Sequence, residues 1–536
     1  MVPERVIQRM SIISDLVKYS RLAFGLRGFL HGTISLEESK QVITTRLRNR
    51  GKNFLSLVQR GIYQNPKSPY LKLLQIAGCE FGDIESLVNK EGVEATLQKL
   101  LAEGVYLSYE EFKRKKEVIR GSSRFQFKER DFDNPFLPVY YQVQSSGSRS
   151  AGTRTTFDLK HQLDMSYYYL PMLAVNNALD VPLGLWSPVL PASSGISNLL
   201  SYWKVGKPAA RWFSPVDERQ VQSSLEHRLA MRYIIYGSRL WGAKLVKPEY
   251  VDMEEAIKVT QWMADMKKQL GGCCLICSPS RAVKVCQAAI ENRLDIQGTH
   301  FMVGGEPLTP AKRQQTEATG ASVSSSYVIS EIGRIGCGCL RASATDDVHL
   351  CHDFVAMIQH QRKVEHTDIH VNAFLFTPLL PSAAKILLNL ESDDYGVVET
   401  RNCDCLFGQL GLDTHLHNIR SFAKLTGVSM TVIGTDFVRI LEEVLPRKYG
   451  GAATDYQLLE EEDNWGQTRL SLIISPTVGT VDESDVIATV LNELRQDPHP
   501  SKLAAGVWSQ ANILQVKRIY PISKMGKVMT LHLMKK

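Results

Sequence analysis

His300-Phe-Met-Val-Gly-Gly-Glu-Pro-Leu-Thr-Pro310 runs from a short β-type stretch into a turn built on two glycines and two prolines. Ser324-Ser-Ser-Tyr-Val-Ile-Ser-Glu331 follows it. Upstream, Asp252–Leu270 has helical periodicity, and Val139-Tyr-Tyr-Gln-Val143 is again β-type. Strand-like runs alternating with helices predict α/β layers.

The pattern changes on either side of this region. Residues 1–130 carry apolar positions at three- and four-residue spacing, as in Leu71–Ile76 and Glu94–Leu101, and predict a helical N-terminal extension. Asp131-Phe-Asp-Asn-Pro-Phe-Leu-Pro138 reads as a linker, because prolines and small polar residues punctuate it. Residues 131–425 form the large α/β unit. Residues 426–536 read as a small α+β unit, with a strand over Arg469–Ser475 and an acidic-started helix over Asp482–Arg495.

Three further segments carry chemistry. Gln144-Ser-Ser-Gly-Ser-Arg-Ser-Ala-Gly-Thr-Arg-Thr155 follows a strand-like run and is rich in the residues that cradle phosphates, with Arg149 or Arg154 to add charge. It is not the G-x-x-x-x-G-K-[ST] loop, since no lysine follows its second glycine. Asn389-Leu-Glu-Ser-Asp-Asp-Tyr-Gly396 offers Asp394, with Asp393 as the register alternative. Tyr520-Pro-Ile-Ser-Lys-Met-Gly-Lys527 ends on a lysine directly after a glycine.

In this order the motifs resemble the adenylate-forming superfamily, which contains acyl- and aryl-CoA ligases, the adenylation domains of peptide synthetases, and luciferases. The resemblance spans roughly residues 135–536. Ser145, Ser146, Gly147, Ser148 and Thr153 resemble its phosphate loop, without the closing Pro-Lys. Gly304, Gly305 and Glu306 resemble the turn that cups adenine, and Tyr327, Ser330 and Glu331 the aromatic–Gly–x–Thr–Glu motif. Leu375-Phe-Thr-Pro-Leu-Leu380 resembles a strand of the same family. The resemblance implies that Tyr327 stacks on adenine, Glu331 holds magnesium and Asp394 holds the ribose. It further implies that Lys527 assists the reaction between a carboxylate and a phosphate, two like charges that a cation must bring together. The family's hinge motif would fall near Lys424-Leu-Thr-Gly-Val428, which carries neither its Arg nor its Asp pair; Arg420 and Lys424 are the nearby cations. The implied fold is a large multi-layer α/β domain plus a small mobile α+β C-terminal domain, after the helical extension.

Ten cysteines ask for their own account. Cys403-Asp-Cys405 can place two thiolates on one metal, and Cys339 with His349 completes a Cys3His set, the ligand type of structural zinc. Cys337, Cys351 and His352 are rival ligands. The arrangement resembles the phenylacetate-CoA ligase branch of the superfamily. Cys273, Cys274, Cys277 and Cys286 sit in apolar sequence and read as core.

Composition narrows the function classes. Apolar residues are 44 % and charged residues 22 %, as in ordinary globular chains. The net charge is +7, from 63 Lys and Arg against 56 Asp and Glu, too small and dispersed for a nucleic-acid binder. Its one dense basic run, Lys113–Lys116, reads as a solvated helix face. No apolar stretch reaches the ~18 residues of a membrane helix; Phe374–Leu390 is interrupted by Pro378, Pro381 and Lys385. The N-terminus lacks a secretory core, so a soluble cytoplasmic protein is expected.

Taken with the resemblance, the expectation is ATP-dependent activation of a carboxylic acid, in the first instance an aromatic one, to an acyl-adenylate with release of pyrophosphate. Transfer to coenzyme A would follow, with an acyl-carrier protein, a protein cysteine or an amine as alternative acceptors. Cofactors are ATP, magnesium and structural zinc, and the chain is read as a monomer or homodimer. The alternative of another class is a non-catalytic, zinc-stapled scaffold. His227, Arg228 and His300 are candidate acid-pocket residues, each also readable as structural.

Overall fold

The computed structural model describes residues 24–137, 141–144, 154–217, 225–363, 370–421, 434–462, 468–496 and 514–533. Two hairpins precede the main sheet: β1 (Val118–Arg120) with β2 (Ser123–Phe125), and β3 (Tyr141–Gln144) with β4 (Arg154–Phe157). The main sheet has twelve strands. They are β5 (Leu183–Trp186), β6 (Arg211–Ser214), β7 (Pro248–Tyr250), β8 (Cys274–Cys277), β9 (His300–Gly304) and β10 (Ser322–Ile329), then β11 (Gly333–Cys337), β12 (Val348–Leu350), β13 (Val355–Lys363), β14 (His370–Pro378), β15 (Leu390–Thr400) and β16 (Thr414–Ser421). In space the order is β13-β14-β15-β16-β12-β11-β10-β9-β8-β5-β6-β7.

The sheet has two halves. From β7 to β10 every pairing is parallel; from β10 to β13 every pairing is antiparallel. The parallel half is covered on both faces, as parallel sheets require. Alternation along each strand sorts its side chains. Leu275, Cys277, Phe301 and Val303 face a core with Trp262 and Val285, from helices Ile257–Leu270 and Pro279–Glu291. Cys274 and Met302 face the opposite core, with Leu170, Leu173 and Leu199.

The antiparallel half is covered by the N-terminal extension. Phe54, Tyr70, Leu97 and Phe132 share one core with Val355, Phe374, Phe376 and Leu416. The helices Arg50–Val58, Pro69–Ile76, Phe81–Glu91 and Val93–Ala102 therefore complete this half of the sheet rather than stand apart from it. The expected linker is also packed. Phe132 makes edge contacts with Tyr70, Phe112 and Phe127, Asp133 pairs with buried Lys385 at 2.9 Å, and the Asn134 side chain donates to Pro381 O and Ala383 O. Two prolines and a polar cluster look like a spacer when their partners lie 250 residues downstream.

The C-terminal unit is a four-stranded sheet, with β17 (Tyr456–Glu462), β18 (Thr468–Ile474), β19 (Leu514–Arg518) and β22 (Leu531–Leu533), packed on helix Glu483–Gln496. The expected strand and helix of this region are both present, and Asp482 caps the helix by accepting from Ser484 N at 2.8 Å. Between β19 and β22 a small hairpin pairs β20 (Ser523–Lys524) with β21 (Lys527–Val528). Among the described residues no helix is long and apolar enough to cross a membrane.

Candidate active site

The parallel-to-antiparallel switch lies between β10 and β11. The crevice outside strand ends at such a switch is where open α/β sheets bind ligands. Here the chain crosses from Ile329 to Gly333 through Ser330 and Glu331, beside the turn that leaves β9 at Gly304 and Gly305.

Both glycines are required. A Cβ on Gly304 would stand 2.8 Å from Ser326 O. Gly305 has φ +84°, and a Cβ there would meet Lys527 Nζ at 2.8 Å. Lys527 thus comes to rest over the β9 turn. The hairpin that carries it turns through Met525 (φ 54°) and Gly526 (φ 71°), and a Cβ on Gly526 would overlap Pro215 and Arg281. Ser278 Oγ donates to Gly526 O, and Ser280 Oγ, whose proton goes to Glu306, lies 3.2 Å from Val528 O, so the hairpin rests against the large unit.

Gly304, Gly305, Ser330 and Lys527 line one cavity of about 250 Å³. Its walls include Tyr169, Tyr202, His161, Arg281 and Arg334, none of which the sequence motifs indicated. Asp158 contributes a carboxylate whose Oδ1 caps helix Leu159–Ser166 through Lys160 N and His161 N. Burial keeps the His161 imidazole below its ordinary pKa, and burial likewise lowers that of Arg281.

The remaining expected site residues have other neighbours. Glu306 accepts from Ser280 N at 2.8 Å and Ser280 Oγ at 2.9 Å, closing the N-terminus of helix Pro279–Glu291. The Tyr327 hydroxyl donates to Asp394 Oδ2 at 2.7 Å and its ring meets Phe376 edge-on; burial, reinforced by Asp394, pushes its pKa well up. Asp393 accepts from Ser421 instead. Glu331 is buried and bound by Lys113 Nζ at 2.8 Å. Ser145, Ser146, Gly147, Ser148 and Thr153 lie outside the described residues, as does the expected hinge near Lys424. Of the acid-pocket candidates, His227 and Arg228 do not line the cavity. His300 is held between Ser322 Oγ and Ser324 Oγ, and burial brings it down to about 4, so it stays neutral.

Lys113 corrects the reading of the basic run. The one-turn helix Tyr109–Phe112 stops before it, and its first lysine reaches a carboxylate 218 residues away. A Lys–Arg–Lys–Lys run beside two glutamates reads as a solvated helix face unless its long-range partner is known.

A second constellation lies where β12, the segment after β11 and the Cys403–Cys405 turn meet. The ligand atoms of Cys339, His349, Cys403 and Cys405 all lie within 4.8 Å of one another. Cys339 Sγ and Cys403 Sγ are 3.9 Å apart, close to the ~3.8 Å that two zinc-bound thiolates at ~2.3 Å would span tetrahedrally. Cys405 Sγ is 3.2 Å from His349 Nε2, while His349 Nδ1 lies 2.7 Å from Leu412 O. That carbonyl takes the Nδ1 proton and leaves Nε2 for the cluster. A Cβ on Gly408 would sit 1.8 Å from Cys403 O, so the knuckle closes only with glycine there. Cys337 and Cys351 meet each other instead, at 3.8 Å.

No family model matches the sequence, and no curated protein does. Solved structures do match. Two crystal structures of 2-hydroxyisobutyryl-CoA ligase in the postadenylation state, one with R3-HIB-AMP and one with 2-HIB-AMP, align over 93 % of this chain and 90 % of theirs. The TM-scores are 0.51 and 0.52, at 13 % and 12 % identity. The fold is the adenylate-forming fold. At this identity the likeness carries the architecture and not the chemistry. Within the adenylate-forming fold of this chain, the sheet switch, the β9 turn and the C-terminal hairpin bring Lys527 into the cavity.

Proposed function

We propose that the protein is an acid–AMP-forming ligase that activates a carboxylic acid with ATP and passes the acyl group to coenzyme A. One observation carries this reading: Lys527, on a turn that Gly526 alone fits, rests against Gly305 inside the cavity bounded by Ser330. In the first step a carboxylate oxygen attacks the α-phosphorus of ATP, and the bond from that phosphorus to the bridging oxygen breaks. Pyrophosphate leaves with the electron pair. In the second step a thiolate attacks the acyl carbon and AMP leaves. The ammonium of Lys527 offsets the negative charge that concentrates where carboxylate and phosphate meet, help that is greatest in a dry cavity. The β9 turn at Gly304 and Gly305 is proposed to receive adenine, and Asp394, which accepts from the Tyr327 hydroxyl, to hold the ribose.

Glu331 fits magnesium, since it is a buried carboxylate one residue from a cavity-lining serine. Magnesium, when bound, would screen the phosphates. Lys113 adds a fixed positive charge at the same carboxylate, where the Ser145–Thr153 segment supplies no lysine. Cys339, His349, Cys403 and Cys405 fit a structural zinc that ties the segment after β11 to the turn before β16. The large unit and the C-terminal unit are proposed as the two bodies of the cycle, with Lys527 contributed by the second. An aromatic acid is supported by Tyr169 and Tyr202, whose rings meet edge-on at 4.8 Å in the cavity wall.

ATP–pyrophosphate exchange with a panel of aryl and aliphatic acids tests the reading. Lys527→Ala should lower exchange by about 10²–10³-fold. Exchange unchanged in that variant would remove Lys527 from the chemistry. No exchange with any acid, together with no ATP binding by calorimetry, would remove the ligase. Mass analysis of the product separates coenzyme A from a carrier protein, a protein cysteine or an amine as acceptor.

A further inference from the structure

Arg334 stands in the middle of β11 and is 3 % exposed. It lines the cavity. Its Nη1 donates to Ser326 Oγ at 3.1 Å and approaches Cys337 Sγ at 3.9 Å, and the guanidinium lies over the Tyr169 ring at 5.1 Å. Nε has no hydrogen-bond partner, and Nη2 donates to no described group. Among the described residues no carboxylate lies within ion-pair distance of it; the ionisable groups nearest it are thiols and tyrosines. Among the described lining residues the one carboxylate is Asp158: its Oδ1 caps helix Leu159–Ser166, its buried Oδ2 has no hydrogen-bond partner, and it forms no ion pair with Arg334.

A buried guanidinium without a counter-ion is strongly destabilising, and natural proteins pair such charges or leave the pairing to a ligand. The edge without hydrogen bonds, Nε with Nη2, is the side-on fork that matches a carboxylate with two parallel bonds. A second cation already serves the reacting end. Lys527 sits over Gly305, with Arg281 behind it against Met525 O at 3.4 Å. Arg334 acts elsewhere in the cavity, against the wall formed by Tyr169. Lys527 lies over the end of β9 and Arg334 is carried on β11, with β10 between the two strands, and both side chains line the same cavity.

We infer that Arg334 selects an acid with two carboxylates, binding the one that does not react while Lys527 serves the one that does. This rests on the ligase reading of the same cavity. Monoacids would leave the guanidinium buried and unpaired, so the residue rejects them as well as attracting diacids. The Tyr169 ring packs against the guanidinium, 5.1 Å from its carbon.

Two measurements on the full-length protein test this separately from the ligase reading. Calorimetry compares succinate, glutarate and isophthalate with butyrate, valerate and benzoate; exchange is run with the same six acids. Wild type should bind and activate at least one diacid in preference to its monoacid. Arg334→Met should lower the diacid's kcat/KM by about a hundredfold and raise the monoacid's, which the guanidinium no longer rejects, and Arg334→Lys should restore part of the diacid preference. Exchange with monoacids alone, or an equal loss for both classes in Arg334→Met, would overturn the inference and leave the ligase standing. Diacid binding that needs Arg334, without exchange from any acid, would keep the site and overturn the ligase. If Arg334→Met does not fold, the wild-type comparison of diacid with monoacid still decides.

Discussion

Glu331 and Lys113 form an ion pair in which one partner is 9 % and the other 21 % exposed at the side chain. At that depth a lysine is more than a surface contact, and its partner is the carboxylate proposed for magnesium. If the ammonium serves the phosphates, Lys113→Met should raise the KM for ATP by about tenfold and, by freeing Glu331 of a competing cation, lower the magnesium needed for half-maximal exchange by a similar factor. That is the scale of one charge-assisted bond, ~1.5–3 kcal/mol. Lys113→Arg should recover most of the loss. A purely structural pair would lower the melting temperature in the ATP-free protein and leave both constants unchanged, which distinguishes the two roles. Lys527 stands out in the sequence because Pro521, Ser523 and Gly526 precede it in a recognisable pattern. Lys113 and Arg334 were not, because what makes them notable is a partner gained, or a partner lacking, in space.

At the scale of elements, local grammar carried much of the fold. The capped helix Glu483–Gln496, strand β18 and the β9 turn follow from acidic starts, β-type runs and paired glycines. Sheet order did not follow, because no local signal says that β12 pairs with β16 or that β8 pairs with β5. The cysteine cluster lies between these cases. Cys403-Asp-Cys405 is visible as a pair, but the choice of Cys339 over Cys337 depends on the side-chain alternation of β11 and on where that strand ends. A metal there would join the segment after β11, β12 and the turn before β16, beside the Arg341–Asp404 and Arg401–Asp347 ion pairs and the His349–Leu412 hydrogen bond that already link them. Metal analysis of the purified protein should give one zinc per chain, and Cys403→Ser or Cys405→Ser should abolish stoichiometric zinc and lower the melting temperature. Cys337→Ser should leave zinc content unchanged. Equal zinc in all three variants would mean the four ligands do not form the site.

At the scale of the whole molecule, the small unit is held on the large one by charges buried at the junction. Glu442, 2 % exposed, accepts from Thr309 and Thr530 and pairs with Lys312 Nζ at 3.4 Å. Burial opposes the charge on Lys312, and Glu442 outweighs it, holding that lysine above its ordinary pKa. Lys284 likewise reaches Asp455 at 3.3 Å, where Gln287 and Ala452 N also donate. These contacts hold the small unit where Lys527 meets Gly305, so the proposed chemistry depends on them from a distance. Removing one partner of a buried pair leaves the other uncompensated, at about 3–5 kcal/mol. Glu442→Ala should therefore release the small unit. Adenylation should fall by about tenfold or more, the radius of gyration in X-ray scattering should rise, and binding of the acid to the large unit should persist. Lys312→Met combined with Glu442→Leu removes both charges together and should restore the compact form, since an apolar pair of similar volume is often as stable as the ions it replaces. Scattering and exchange both unchanged in Glu442→Ala would show that the junction is held by its apolar contacts, and that the buried charges only tune it.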